Sequence, residues 1–266
     1  MRSIVSSWLG GVFVGVLLFL ATGYVLRACW SLPTPIDVLG VVGLVVLIVA
    51  AHTRLPASIQ EIVRVGGGSI PASLSLAGLL GCTALIIGIN ALAAGAMAPT
   101  FQQTLGEASA ILPRTPSAWM RHIVYAVVFA PVVEELSARG WVQGSMKRHM
   151  HPALAVAAAA ALFAFAHSIG AGRIVFPLGA FLFGVFAGIV VLVTGTVWAA
   201  VALHTLANFI NTAGVASGAY FLMAESAGAS TALGSALVLS GVVTLWRVYG
   251  VLRQGPASLG MSRGVA

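Results

Sequence analysis

Glu134, Glu135 and Arg139 stand in a stretch from Trp119 to Gly144 that is otherwise apolar enough to lie in a membrane. An ionisable side chain at bilayer depth costs roughly 2.5 to 3.5 kcal/mol on insertion scales, so three in one span must pair or serve a purpose. Glu135 and Arg139 are four residues apart with the acid first, the favourable orientation for an ion pair on one helix face. Glu134 lies about 100° around the helix from Glu135 and cannot share that partner equally. It is the carboxylate left for chemistry, and such a group in an apolar pocket can act as a base near neutral pH. Pro131, one turn earlier, should loosen the helix beside both carboxylates and free a backbone carbonyl.

The following apolar stretch carries His167, in Phe163-Ala-Phe-Ala-His167. If the intervening turn is centred near residue 150, Glu134 and His167 are nearly equidistant from it, and an antiparallel hairpin brings them to the same depth. Phe163, one turn from His167, could wall a pocket, a role weighed against that of an ordinary core or lipid-facing ring. Farther along, His204 and Asn208 are spaced to project from one helix face, and Asn211 continues the stripe. A lone intramembrane histidine is commonly a helix–helix hydrogen bond. Two Glu, an Arg, two His and an Asn gathered in a few spans, in a chain with six acidic residues, read as a site. His122, His149 and His151 fall near helix ends and read as interfacial, and Asn90 and Cys82 as local hydrogen-bonding groups.

These residues need elements to hold them, and composition names the class. The chain has 266 residues, 59% hydrophobic and 7% charged, with mean hydropathy +1.04, far from the charge a soluble surface carries. Long apolar runs with little between them argue for an all-α, polytopic transmembrane bundle and against a barrel of short alternating strands. The expectation is one integral membrane domain, 1–266, with about eight spans: 8–26, 37–52, 72–97, 117–148, 152–170, 174–194, 196–217 and 231–252. Residues 54–70 read as an interfacial helix ending at Gly66-Gly67-Gly68, and 99–117 as a polar connection, the longest loop, able to cover the site. Gly11 with Gly15, and Gly184 with Gly188, would let helices approach closely.

A net charge of +7 and a pI near 10.5 could point to nucleic acid, but the basic residues are scattered singly or in pairs at helix ends. That pattern marks topology and lipid headgroups, so nucleic acid is excluded as a partner. Arg2, Arg54, Arg64, Lys147, Arg148, Arg253 and Arg263 outnumber Arg27, Arg114, Arg121 and Arg173 on the other side, which makes both termini cytoplasmic. Two cysteines, Cys29 and Cys82, support neither a disulfide framework nor a thiolate metal site. The first apolar run has no clear signal-peptidase site and reads as a retained helix, and Arg27 spoils the faint lipoprotein box at 26–29.

Glu134-Glu135-Leu-Ser-Ala-Arg139, Phe163-x3-His167 and His204-x3-Asn208 resemble the ordered motifs EExxxR, FxxxH and HxxxN of the CAAX-protease and bacteriocin-processing (CPBP) family, the type II CAAX endopeptidase-like intramembrane proteases. The resemblance covers a motif core of about 119–212 and departs at Ala138, where many members carry Phe. It implies an eight-helix fold with an intramembrane catalytic cavity and hydrolysis of a peptide bond in a membrane-associated protein or peptide. It further implies Glu134 and His167 as activators of water, and His204 and Asn208 as neutral donors to the oxyanion. Glu135, Arg139 and Phe163 would support them.

Glu134, His167 and His204 could instead form a two-His, one-carboxylate zinc site. Asparagine is a poor zinc ligand and no HExxH spacing is present, so the metal-free glutamate mechanism is preferred and zinc is the alternative cofactor. A non-proteolytic binding, regulatory or immunity protein on the same fold is the rival reading. A proton-coupled transporter is a weaker one, since the sequence shows no duplicated halves. Composition favours a bacterial inner membrane. Substrate identity and oligomeric state are not legible.

Overall fold

The computed structural model describes residues 7–29, 34–63, 72–110, 112–168 and 175–253. Among them the chain is all-helical, with no strand. Eight long helices are α1 (Trp8–Cys29), α2 (Thr34–Thr53), α4 (Ala72–Ala96), α6 (116–146), α7 (Pro152–Ser168), α8 (Val175–Thr194), α9 (Val197–Ala216) and α11 (Ala227–Arg253). Three short ones are α3 (Ala57–Val63), α5 (Ala98–Ala110) and α10 (Ala219–Glu225). Four helices are by themselves long and apolar enough to cross a membrane, at Pro35–Thr53, Leu76–Ala96, Val197–Ala216 and Ala227–Val251. Shorter apolar helices occupy Leu9–Thr22, Pro152–Ser168 and Gly179–Thr194. The expected bundle of about eight helices is what forms.

The chain divides into two compact units, one drawing on 1–68 and 114–205, the other on 69–113 and 206–266. The first is built around α6, which is buried almost continuously from Val132 to Met146 and packs against α1, α2, α3, α7 and α8. Gly11 and Gly15 let α1 approach it, since a Cβ on Gly11 would collide with Ser145 and one on Gly15 would lie 2.8 Å from the Ser137 carbonyl. On another side Gly184 and Gly188 of α8 press against Ala160 and Val156 of α7 and against Arg139 and Gln143 of α6. Gln143, 2% exposed, donates from Nε2 to the Gly188 carbonyl at 3.0 Å. Both glycine pairs read from the sequence therefore serve close packing.

Two buried polar contacts align α2 in parallel with α6. Near their starts Arg121 pairs with the fully buried Asp37 at 2.7 Å. Toward their ends the Trp141 indole N–H donates to Nε2 of His52 at 3.1 Å, while His52 Nδ1 donates to the Ile48 carbonyl. The sequence reading assigned Arg121 only to topology and gave Asp37, His52 and Trp141 no part.

Helix α6 contains two wide π stretches, Ile123–Phe129 and Leu136–Gln143, on either side of the α-helical Ala130–Glu135 that carries both glutamates. The Ala130 N–H reaches back five residues to the Tyr125 carbonyl. A proline has no N–H and its ring crowds the carbonyl four residues back, and a wider turn beside Pro131 relieves both. The loosening expected from Pro131 is thus a change of helix type.

In the second unit α4 and α11 run antiparallel through a heptad of small residues. Gly81, Gly88 and Gly95 of α4 meet the carbonyls of Gly241, Gly234 and Ala227 of α11, which a Cβ on each would approach to 3.3, 3.0 and 2.8 Å. Bulkier residues there would force the backbones apart.

One expectation needs correction. The stretch 99–117 is not a loop over most of its length: α5 forms because Pro99 lies in a first turn, where no amide donor is needed, and because Phe101 and Leu105 share one face. Those two pack with Ala94, Tyr220 and Ala224, while Gln102, Gln103 and Glu107 face outward. The connection left is short, and Thr115 caps the start of α6 by accepting from the Ala118 N–H at 3.2 Å. Helix α10, in a stretch for which the sequence set no expectation, follows Gly218 at φ 74°, the left-handed conformation glycine tolerates. Within 54–70 a helix forms as α3, and the expected glycine turn at 66–68 lies outside the described residues, as do Arg2, Arg64, Arg173 and Arg263.

Candidate active site

The site lies in the first unit, where α6, α7 and α9 bring Glu134, Glu135, Arg139, His167 and His204 together. Glu134 Oε2 is 3.5 Å from His167 Nε2 and 3.9 Å from His204 Nε2. The hairpin of α6 and α7 delivers the first contact, as the counting from residue 150 required. The Glu135 carboxylate uses its other neighbours: Oε2 pairs with Arg139 Nε at 3.2 Å and Oε1 meets His204 Nδ1 at 2.7 Å. The sequence placed the first of these pairs and missed the second.

Exposure separates the two carboxylates further. The side chains of Glu135 and Arg139 are wholly closed off, whereas those of Glu134 and His167 are 16% and 22% exposed. Glu134 and His167 therefore stand at the accessible edge of the cluster, and the Glu135–Arg139 pair forms its floor.

Acceptor chemistry fixes the orientation of both imidazoles. A carbonyl can only accept, so the 2.8 Å contact from His167 Nδ1 to the Phe163 carbonyl places a proton on Nδ1 and turns Nε2 toward Glu134. His204 is held the same way by the Glu135 carboxylate, with Nε2 again turned toward Glu134. The outer ring nitrogen of each histidine is tied down and the inner one is aimed at one carboxylate oxygen.

Aromatic rings complete the enclosure. The Arg139 guanidinium lies 4.3 Å from the Phe163 ring centroid and 6.0 Å from that of Phe183. Neither Nη1 nor Nη2 has a hydrogen-bond partner among the described residues, so ring faces and Glu135 compensate its burial. Phe163 also contacts His167, with centroids 4.2 Å apart, which makes it a structural neighbour of both the floor and the accessible edge. Phe183 of α8 was not singled out in the sequence, because nothing in its spacing distinguishes it from other apolar residues of α8.

Asn208 follows His204 by one turn along α9 and belongs to the second unit. There Asn211 accepts at Oδ1 from Asn90 Nδ2 and from the Tyr220 hydroxyl, each at 3.1 Å. Asn90 and Asn211 thus form a clamp that the sequence left unassigned. His122 stands in the second turn of α6, where the α-helix passes into the first π stretch, and His149 and His151 lie in the α6–α7 turn, at helix ends as expected.

Among the described residues no group of three or more His, Cys, Asp or Glu is arranged to hold a metal ion. The inner nitrogens of both histidines converge on Glu134.

No curated protein and no solved structure matches the chain. Residues 116–210, from the start of α6 into the second half of α9 and enclosing all three motifs, match the family model for type II CAAX prenyl endopeptidase Rce1-like proteins, and over this third of its length the chain is similar to that peptidase family.

Proposed function

We propose that the protein is an intramembrane endopeptidase that hydrolyses a peptide bond in a membrane-associated protein or peptide, with Glu134 as the base. The observation that carries this reading is the partly open Glu134 carboxylate facing Nε2 of both His167 and His204, above a fully buried Glu135–Arg139 floor. With its proton on Nδ1, neutral His167 offers Nε2 as an acceptor beside Glu134. Two acceptors facing one point can take the two hydrogens of a water and leave its oxygen lone pair free to attack.

The contact between His204 and Glu135 refines the role of His204. Its Nδ1 proton is engaged, so donation from Nε2 to an oxyanion requires the doubly protonated ring, balanced by Glu135. With that ring charged, two carboxylates face one guanidinium and one imidazolium and the cluster is neutral. Asn208, one turn further along α9, is the proposed second donor on the strength of its HxxxN spacing. Zinc held by Glu134, His167 and His204, which would supply a Lewis acid for a bound water, is the rival chemistry. We also place the chain in a bacterial inner membrane, on composition, with both termini cytoplasmic, which the excess of basic residues on that side supports.

The experiment is a comparison of membrane-protein termini, by mass spectrometry, in cells carrying the wild type or Glu134→Gln. Peptide termini that vanish with the variant support the reading and reveal the substrate class. Identical termini, with both proteins folded and abundant, would move the assignment to a non-proteolytic binding protein. Cleavage by purified protein that a chelator stops and zinc restores would replace the metal-free mechanism.

A further inference from the structure

Phe183 lies outside the three motifs, yet its ring is 4.6 Å from the His204 imidazole, centroid to centroid, at an interplanar angle of 54°. It is also 6.3 Å from the Phe163 ring and 6.0 Å from the Arg139 guanidinium. The imidazole of His204 thus has Glu135 at one nitrogen, Phe183 near its face and Phe163 at its side, 6.0 Å away and steeply inclined. A hydrogen bond at Nδ1 fixes one point of the ring but leaves it free to rock about that bond. A neighbouring ring removes that freedom and keeps Nε2 directed at Glu134.

Helix α8 is built to hold Phe183 at this distance. A Cβ on Gly184, the next residue, would come 3.0 Å from the Ala160 backbone and 3.2 Å from Arg139 Nη2. One turn later the Gln143 side chain grips the Gly188 carbonyl, where a Cβ would come 2.7 Å from its Oε1. Two glycines and one buried amide therefore set the depth of α8 against α6 and α7, and Phe183 is carried to His204 as a consequence.

We infer that Phe183 is a positioning residue for His204, holding the imidazole in the orientation that joins Glu135 to the reacting centre. Its bearing on catalysis rests on the peptidase reading, but the contact and the restraint do not. A substrate-independent measurement is therefore the test. Full-length protein with labelled histidine and phenylalanine is reconstituted in lipid nanodiscs, and the His204 resonances are assigned with His204→Gln.

The wild type should show ring-to-ring magnetisation transfer between Phe183 and His204, and a downfield Nδ1 proton that exchanges slowly. In Phe183→Leu that proton should exchange about tenfold faster, the loss of one aromatic contact, and Phe183→Tyr should restore the slow rate. Absence of the ring contact in the wild type, or an unchanged exchange rate in a folded Phe183→Leu, would overturn the inference. The wild-type contact and the tyrosine variant decide the matter should the leucine variant misfold. Once a substrate is known, Phe183→Leu should lower kcat with KM nearly unchanged. The NMR result without cleavage by any form would count against the peptidase reading alone.

Discussion

Replacing Glu135 with Gln keeps the shape of the side chain and removes one charge from the floor of the site. Gln has a single carbonyl oxygen to set against two donors, Arg139 Nε at 3.2 Å and His204 Nδ1 at 2.7 Å. Whichever way the amide turns, its NH2 faces one of them. The buried Arg139 guanidinium then loses its paired charge and keeps the ring faces and the charge of Glu134. Breaking a buried ion pair in this way costs roughly 3–5 kcal/mol, which for a chain of this size lowers a melting midpoint by on the order of 10 °C. The same change at Glu134 disturbs a longer contact of 3.5 Å on a side chain that is 16% exposed and leaves the Glu135–Arg139 pair intact, so it should cost much less than the change at Glu135.

Thermal melts of both variants in one detergent, followed by loss of folded monomer, measure the difference. Glu134→Gln should melt near the wild type and cleave nothing, and Glu135→Gln should melt well below it. Adding Arg139→Met to Glu135→Gln should recover part of the lost stability, because the stranded charge is gone. Equal midpoints for the two single variants would refute the division of the carboxylates into an accessible base and a buried floor.

Other outcomes follow from the packing. Gly88→Ala would bring a Cβ to 2.9 Å from the Val238 backbone nitrogen and should destabilise by about 1–3 kcal/mol. Gly78→Ala in the same helix meets nothing within 4 Å and should be neutral or stabilising by about 0.5–1 kcal/mol in the same melts. Trp141→Phe deletes the donor to His52 and should cost about 1–3 kcal/mol of stability while leaving cleavage intact at a temperature where the variant is folded; loss of cleavage there would show that this contact reaches the site.

Legibility followed the range of the interactions. The Glu135–Arg139 pair was readable because four residues of helix fix its geometry without help from elsewhere. Glu134 facing His167 was readable because a short turn joins two antiparallel helices and depth can be counted from it. The reach of His204 to Glu135 was not, since it depends on how α9 is rotated against α6. The same holds for Phe183, which is apolar among apolar residues until the glycines of α8 bring it to His204. Residues 99–117 were misread because polar side chains on one face of an interfacial helix resemble those of a loop when Phe101 and Leu105 are not matched to a partner.

The sequence by itself determined the all-helical membrane class of the molecule and which ionisable residues call for partners, because bilayer partitioning and i to i+4 spacing act locally and a buried charge demands an account wherever it occurs. Tertiary structure decided which carboxylate is open and which is sealed, which nitrogen of each histidine faces inward, and where the wide turns of α6 fall. Those depend on contacts between helices distant in the chain, made by backbone approach at glycines and by hydrogen bonds that no local spacing encodes.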